Sequence, residues 1–237
     1  MNIIMLSGLD GTGKFFSEIE ELLETVHSPV VIEYPTDLYR YEDLRSWVED
    51  RLPEGDFVIV AESFSGPLAA MIASRKPAGL KGVVFVATFA RTPVTLPAWM
   101  TAAARVLPIG SRPLAWLAQP LVMGQWASRR FTEKFGAVIK QVPAATIAGR
   151  LREILKVDVR EKLSHLAVPI MYLCASHDRL VPSRMSLDFM IAPDVVQTIE
   201  GPHFLLQANA PEAARRISEF AGHCSARHFS QPDITDR

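Results

Sequence analysis

The chain has 237 residues, of which 49% are hydrophobic, so it is long enough to bury a sizeable core in one or two domains. Its formal net charge of −1 excludes a global attraction for nucleic acid or for acidic membranes. Two well-separated cysteines give neither a disulfide framework nor a zinc-binding pattern, and no apolar run approaches the ~20 residues of a membrane span. We therefore expect a soluble cytoplasmic protein without a metal or organic cofactor.

Short apolar runs alternate with segments of helical period along most of the chain. The predicted strands are 2–7, 30–34, 56–62, 82–88, 169–175 and 195–200. The predicted helices are 14–26, 41–51, 64–75, 183–191 and 211–222. Because the strand runs are almost continuously apolar, we expect them to be buried on both faces. The chain is thus predicted to be an α/β protein, with a mostly parallel central sheet of about six strands and helices on both faces.

Residues 91–157, called the insertion below, interrupt this alternation. They lie between the fourth and fifth predicted strands and contain helix-like segments punctuated by prolines, with no convincing strand. They hold ten Lys and Arg residues against two acids, which leaves 15 basic and 24 acidic residues in the rest of the chain. We predict a helical lid over a core made of residues 1–90 and 158–222. A flexible tail is expected at 223–237.

A serine lies at the junction between the third predicted strand and the third predicted helix. The segment AESFSG places Ser63 between two small residues, Ala61 and Ser65. A nucleophile on a sharp strand-to-helix turn needs small residues two positions before and after it, because the helix packs closely against the strand there. Glycine usually fills both positions, so an ordinary turn with small residues is the alternative interpretation.

A nucleophilic serine also needs a base, and the base needs an acid that orients it. Asp178 follows the fifth predicted strand and His203 follows the sixth. Because the carboxyl ends of parallel strands meet at one edge of a sheet, we expect both residues at the same edge as Ser63. Asp178 has an alternative role as a helix cap. His177 is an alternative base, although an imidazole rarely reaches the carboxylate of its own neighbour.

The segments AESFSG, ASHDRLVP and GPHFLLQANAPE resemble the three catalytic blocks of the α/β-hydrolase family, in the order that the family uses. The resemblance covers residues 1–90 and 158–222 and is weak across the insertion. It implies the α/β-hydrolase fold, with Ser63 as nucleophile, His203 as general base and acid, and Asp178 as the residue that orients the imidazole. It also implies a carboxylesterase, thioesterase or lipase-like enzyme that cleaves a small-molecule ester or thioester through an acyl-enzyme on Ser63.

The loop after the first strand resembles the oxyanion loop of the same family. Ser7 stands where the family frequently has His. The resemblance implies that the backbone amides of Leu9 and Phe64 stabilise the oxyanion. The sequence begins directly at this strand, which favours a compact, six-stranded version of the fold.

Three alternatives remain at this point. The segment Gly8–Lys14 fits the phosphate-binding Walker loop, but that motif needs Ser or Thr next, where Phe15 stands. An acyltransferase would use the same acyl-enzyme with an alcohol in place of water. A protein of this fold could also bind a ligand without turnover.

The insertion carries the remaining clues to the substrate. Its positive charge could attract an anionic substrate, such as an acyl-CoA, an acyl carrier or a phospholipid, or could simply pair with the acidic core. Its large apolar side chains could line an acyl pocket or pack the lid onto the core, and packing is favoured for most of them. These residues are Trp99, Met100, Trp116, Leu117, Leu121, Met123, Trp126 and Phe131.

Overall fold

The computed structural model describes residues 1–93, 121–190 and 195–228. All six predicted strands are present, and they form one parallel sheet in the order β2-β1-β3-β4-β5-β6. The strands are β1 (Asn2–Leu6), β2 (Ser28–Ile32), β3 (Phe57–Glu62), β4 (Leu80–Val86), β5 (Ile170–Ala175) and β6 (Val196–Ile199). The predicted α/β fold with a parallel sheet of about six strands is therefore confirmed.

The helices fill the intervals between strands. They are α1 (Ser17–Glu24), α2 (Tyr41–Glu49), α3 (Ser65–Ala73), α4 (Arg129–Ile139), α5 (Ala144–Ile154), α6 (Arg160–Ser164), α7 (Leu205–Ala208) and α8 (Ala210–His228). Short 3-10 helices span Lys14–Phe16, Gly124–Trp126 and Ser183–Phe189. The last helix continues to His228, so the first six residues of the predicted tail, 223–228, are helical. Residues 229–237 lie outside the described part of the chain.

The alternation of side chains along each strand divides the core into two layers. In β3, Phe57, Ile59 and Ala61 pack with α2, α3 and α6 on one face of the sheet. Val58 and Val60 pack with α1 and α8 on the other face. Because helices cover both faces of the sheet, the side chains on both faces are buried and apolar. This explains why the strands appear in the sequence as continuous apolar runs.

The described part of the insertion is mainly helical. Helices α4 and α5 both belong to it, and Arg91 makes an isolated bridge to Asp158 where the insertion meets the core. Ser128 caps the start of α4 by accepting a hydrogen bond from the Phe131 amide at 3.0 Å. Within the described ranges, no helix is long and apolar enough to span a membrane. The candidates Trp99, Met100, Trp116 and Leu117 lie outside the described residues.

Candidate active site

Ser63 sits on a strained turn between β3 and α3. Its φ of 52° is in the left-handed region, which residues other than Gly rarely adopt. The turn is held by a hydrogen bond from the Ser63 amide to the Val86 carbonyl at 2.9 Å. A Cβ at Gly66 would overlap the Thr88 side chain, so α3 can start this close to β4 only with glycine there. Such local strain persists where the surrounding contacts fix it, and it commonly marks a functional residue.

Ser65 takes the place of the expected glycine and is used as a hydrogen-bonding residue. Its buried hydroxyl donates to the Ser7 carbonyl at the end of β1. Because this hydroxyl has one proton, the Tyr34 hydroxyl, 2.6 Å away, donates to it. The Ser7 hydroxyl in turn donates to the Ile32 carbonyl at 3.1 Å. A serine at this position therefore ties the turn to the first two strands.

The structure brings Ser63, His203 and Asp178 together at the carboxyl edge of the sheet. Ser63 Oγ lies 2.8 Å from His203 Nε2, and His203 Nδ1 lies 2.8 Å from Asp178 Oδ2. The second oxygen, Asp178 Oδ1, accepts hydrogen bonds from the Leu180 and Val181 amides, both at 2.8 Å. Asp178 thus caps its own loop, the alternative role, while it also holds the imidazole. With Nδ1–H directed at the carboxylate, Nε2 is left to accept the serine proton.

The buried imidazole of His203 has a raised pKa. Burial lowers the pKa, but the charge and hydrogen bond of Asp178, together with the charge of Glu62, raise it by more. Below this pKa the imidazolium can no longer accept the proton of Ser63. Any transfer of the Ser63 proton to this imidazole is therefore confined to pH values above the raised pKa of His203.

His177, the alternative base, points elsewhere. Its Nδ1 contacts Ser176 Oγ at 2.7 Å, and its ring lies 5.1 Å from the ring of Trp126. It is exposed, whereas His203 is buried. The geometry favours His203 as the partner of Ser63.

The amides of Leu9 and Phe64, the two predicted oxyanion donors, donate no hydrogen bond within the described part of the chain. Buried backbone N–H groups in folded proteins are nearly always paired. Leu9 lines the same cavity as Ser63, and Phe64 directly follows it. Two unused donors next to the serine fit the requirement for binding an oxyanion.

A cavity of about 710 Å³ lies between the core and the insertion, beside Ser63 and His203. Its volume is typical of a small-molecule site, and its lining is predominantly apolar. The insertion contributes Val122, Phe135, Ile139, Val142, Ile147 and Leu151 to this lining. The shape and chemistry of the cavity suit an apolar group bound next to the serine hydroxyl.

The four insertion candidates that lie within the described residues do not line this cavity. Met123 and Phe131 pack in a cluster around Phe15, and Leu121 and Trp126 border a separate cavity of about 280 Å³ next to Asp178. Among the described candidates, the packing interpretation therefore holds for Met123 and Phe131. The signal that was missed is the apolar face of α4 and α5, whose side chains point into the cavity.

The loop Gly8–Lys14 shows no sign of a phosphate site. The Asp10 carboxylate accepts a hydrogen bond from the Thr12 amide at 2.9 Å, so a negative charge already occupies one of the donors that a phosphate would need. The Lys14 ammonium donates to Gln141 Oε1 of the insertion. Among the described residues, no group of three or more His, Cys, Asp or Glu side chains could hold a metal ion.

Comparison with known proteins agrees with this architecture. A sequence model of the alpha/beta hydrolase family matches residues 3–217 of the chain. No curated protein sequence matches the chain significantly. Similar solved structures include a bromoperoxidase from Bacillus anthracis, with a TM-score of 0.82, 16% identity, and coverage of 93% of this chain and 91% of the other.

Two further structures show how varied the chemistry of similar folds is. An esterase from Exiguobacterium antarcticum has a TM-score of 0.81 at 12% identity, covering 94% of this chain and 92% of its own. An enol-lactonase from Burkholderia xenovorans has a TM-score of 0.79 at 17% identity, covering 93% and 91%. At these identities the likeness establishes the fold alone.

Proposed function

The chain belongs to the alpha/beta hydrolase family, and from that premise we propose that it is a serine hydrolase acting on a carboxylic ester or thioester. The observation that carries the proposal is the hydrogen-bonded series Ser63–His203–Asp178, with distances of 2.8 Å, at an apolar cavity. Nucleophile, base and orienting acid are the parts that acyl transfer through a serine requires.

In the proposed reaction, Ser63 Oγ attacks the substrate carbonyl while His203 Nε2 takes its proton. Asp178 holds the ring and stabilises the imidazolium, and the amides of Leu9 and Phe64 bind the oxyanion of the tetrahedral intermediate. The C–O or C–S bond then breaks, and His203 returns the proton to the leaving group. Water, activated by His203 in turn, cleaves the acyl-enzyme and frees Ser63.

Labelling by a fluorophosphonate probe tests the nucleophile, and a panel of p-nitrophenyl esters and acyl-CoAs of graded length tests turnover. We expect the wild type to label and to hydrolyse members of the panel. The Ser63→Ala variant should do neither, because it lacks the attacking oxygen.

Ser74→Ala is the matched control, since Ser74 ends α3 and its hydroxyl only donates to the Met71 carbonyl at 2.9 Å. This variant should label like the wild type. A wild type that does not label, or that labels equally after Ser63→Ala, would overturn the proposal. Labelling without turnover of any ester or thioester would indicate a binding protein of this fold.

The substrate is further proposed to carry a negative charge next to the acyl group. Lys140 of the insertion lines the cavity, and its side chain has no partner within the described residues. The acids in the lining are engaged, because Asp10 binds Thr12 and Glu62 binds Gln207. An unpaired ammonium at a mainly apolar cavity favours an anionic group at its edge.

Removing the Lys140 charge should lower kcat/KM for anionic substrates only. For Lys140→Gln we expect kcat/KM on an acyl-CoA to fall roughly two- to fivefold, with a weaker dependence on salt than in the wild type. A neutral p-nitrophenyl ester should be unaffected. Lys162→Gln, an exposed lysine of α6 outside the cavity lining, is the control. Equal effects on both substrates, or of both lysines, would contradict a charged substrate.

A further inference from the structure

Arg150, in α5 of the insertion, is fully buried, and within the described residues it forms no ion pair with a carboxylate. Its five N–H groups are instead directed at backbone carbonyls. Nη1 donates to Leu9 O at 3.0 Å and Asp10 O at 2.8 Å, and Nη2 donates to Pro35 O at 3.0 Å and Leu38 O at 3.2 Å. Nε also reaches Leu38 O, at 3.4 Å. Every N–H donor of this side chain is thus paired with a backbone carbonyl.

This arrangement is costly and therefore informative. Burial lowers the pKa of Arg150, which shows how unfavourable the site is for its charge, although the nearby Tyr34 and Asp10 raise that pKa in part. Truncating this side chain would leave the backbone carbonyls without its N–H donors, so Arg150 both stabilises the loops after β1 and β2 and fixes the direction of their carbonyls.

The carbonyls that Arg150 binds belong to the loops after β1 and β2, and the first of these loops contains Leu9. The peptide unit before the Leu9 Cα is fixed because the Gly11 amide donates to the Gly8 carbonyl at 3.1 Å. The Gly11 amide is held in turn, because it belongs to the same peptide unit as the Asp10 carbonyl, which accepts from Nη1 of Arg150 at 2.8 Å. Since each peptide is planar and trans, Arg150 orients the Asp10–Gly11 unit, and the bond from the Gly11 amide to the Gly8 carbonyl then fixes the direction of the Leu9 N–H.

The close approach is built into the loop. Gly11 has φ +74°, and a Cβ there would overlap Nη1 of Arg150. The glycine therefore serves both the left-handed turn and the seat of the guanidinium.

We propose that Arg150 is a positioning residue, supplied by the insertion, that holds the Leu9 amide in the direction needed to bind the oxyanion. The proposal rests on the proposed function and deepens it, because it makes the insertion part of the apparatus that stabilises the transition state. Arg150 touches no reacting atom, and its effect passes through the loop after β1. The expected signature is a loss in kcat without a matching change in KM.

The test compares Arg150→Met and Arg150→Lys with a matched variant, Thr146→Val. Thr146 lies one turn earlier on α5, and its hydroxyl donates to the Thr36 carbonyl of the loop after β2, with no hydrogen bond to the loop after β1. Thr146→Val thus removes a contact between insertion and core while leaving Leu9 held. The readouts are kcat and KM on a neutral p-nitrophenyl ester, inhibition by an alkyl boronic acid that forms a tetrahedral serine adduct, and the thermal unfolding midpoint.

We expect Arg150→Met to lower kcat and boronate affinity by about 100-fold, the size of effect seen when one oxyanion donor is lost. KM should stay close to the wild-type value, and Thr146→Val should lower only the unfolding midpoint. If Arg150→Met does not fold, Arg150→Lys decides, since one ammonium cannot hold both loops. Folded Arg150 variants that match Thr146→Val in kcat and boronate affinity would overturn this proposal alone. A wild type inactive on every ester would overturn the proposed function and this proposal with it.

Discussion

Glu62 directly precedes the proposed nucleophile and is buried beside the imidazole of His203. Gln207 Nε2 donates to Glu62 Oε2 at 3.2 Å, while Glu62 Oε1 and Gln207 Oε1 are both buried without a partner. Burial raises the pKa of Glu62 to about 7, against weaker lowering by the Gln207 hydrogen bond and the charge of His203. Protonation would turn Oε1 into a donor, so the neutral acid suits this pocket better than the carboxylate.

The raised pKa of Glu62 predicts that stability falls with rising pH. Between pH 4.5 and about 7 the unfolded chain loses this proton while the folded protein keeps it, so the unfolded state is favoured as pH rises through this window. The loss amounts to about 3 kcal/mol when complete. The Glu62→Gln variant lacks the proton, so its free energy of unfolding, measured by urea denaturation from pH 4.5 to 8, should lack this decline.

Glu54→Gln is the control, since Glu54 is exposed and has no ion pair within the described residues. Parallel stability curves for wild type, Glu62→Gln and Glu54→Gln would show that the fold does not raise the pKa of Glu62.

At the scale of elements, the sequence predicted the sheet well because its signal is local. Both faces of every strand are covered, so the apolar runs and the turns between them are visible without tertiary information. Helix α8 was predicted too short for the opposite reason. Residues after 222 are polar in sequence, yet Cys224 is buried against β4, where a Cβ at Gly82 would come within 2.8 Å of its sulfur. Packing against a distant strand extends the helix.

The same distinction applies to the site. Ser63, Asp178 and His203 could be brought together from the sequence because each follows the carboxyl end of a parallel strand, and topology places those ends at one edge. Arg150 could not be predicted, because its partners are backbone carbonyls that leave no pattern in the sequence. The pairing of Glu62 with Gln207 likewise joins residues far apart in the chain, through a contact that only the fold creates.

On the scale of the whole molecule, the charge of the insertion has no single explanation. Arg91 pairs with Asp188 of the core at 2.9 Å, whereas Arg129 and Lys156 pair with acids of the insertion itself. Arg150 donates its hydrogen bonds to backbone carbonyls, and Lys140 lines the cavity. Among the described residues, basic side chains of the insertion therefore anchor it to the core, pair within it or face the site, so the net charge of the segment could not decide between these roles.

Aromatic packing joins the insertion to the loop after β6 and to the 3-10 helix after β1. Phe204, next to His203, lies 5.2 Å from Phe15, 5.6 Å from Phe131 and 6.1 Å from Phe135, measured between ring centroids. The two rings on α4 share this cluster, but of the two only Phe135 lines the cavity. They form a matched pair for separating the packing of the insertion from the binding of the acyl group.

Truncating Phe135 should change substrate selection as well as stability. We expect Phe135→Ala and Phe131→Ala each to cost about 3 kcal/mol of unfolding free energy, because both remove a buried ring. Only Phe135→Ala enlarges the cavity, so only this variant should shift the optimum of a p-nitrophenyl ester series towards longer acyl chains. The measurement is kcat/KM across the series at a temperature where both variants are folded. An unchanged optimum in Phe135→Ala, or an equal shift in Phe131→Ala, would mean that the acyl group binds outside this cavity.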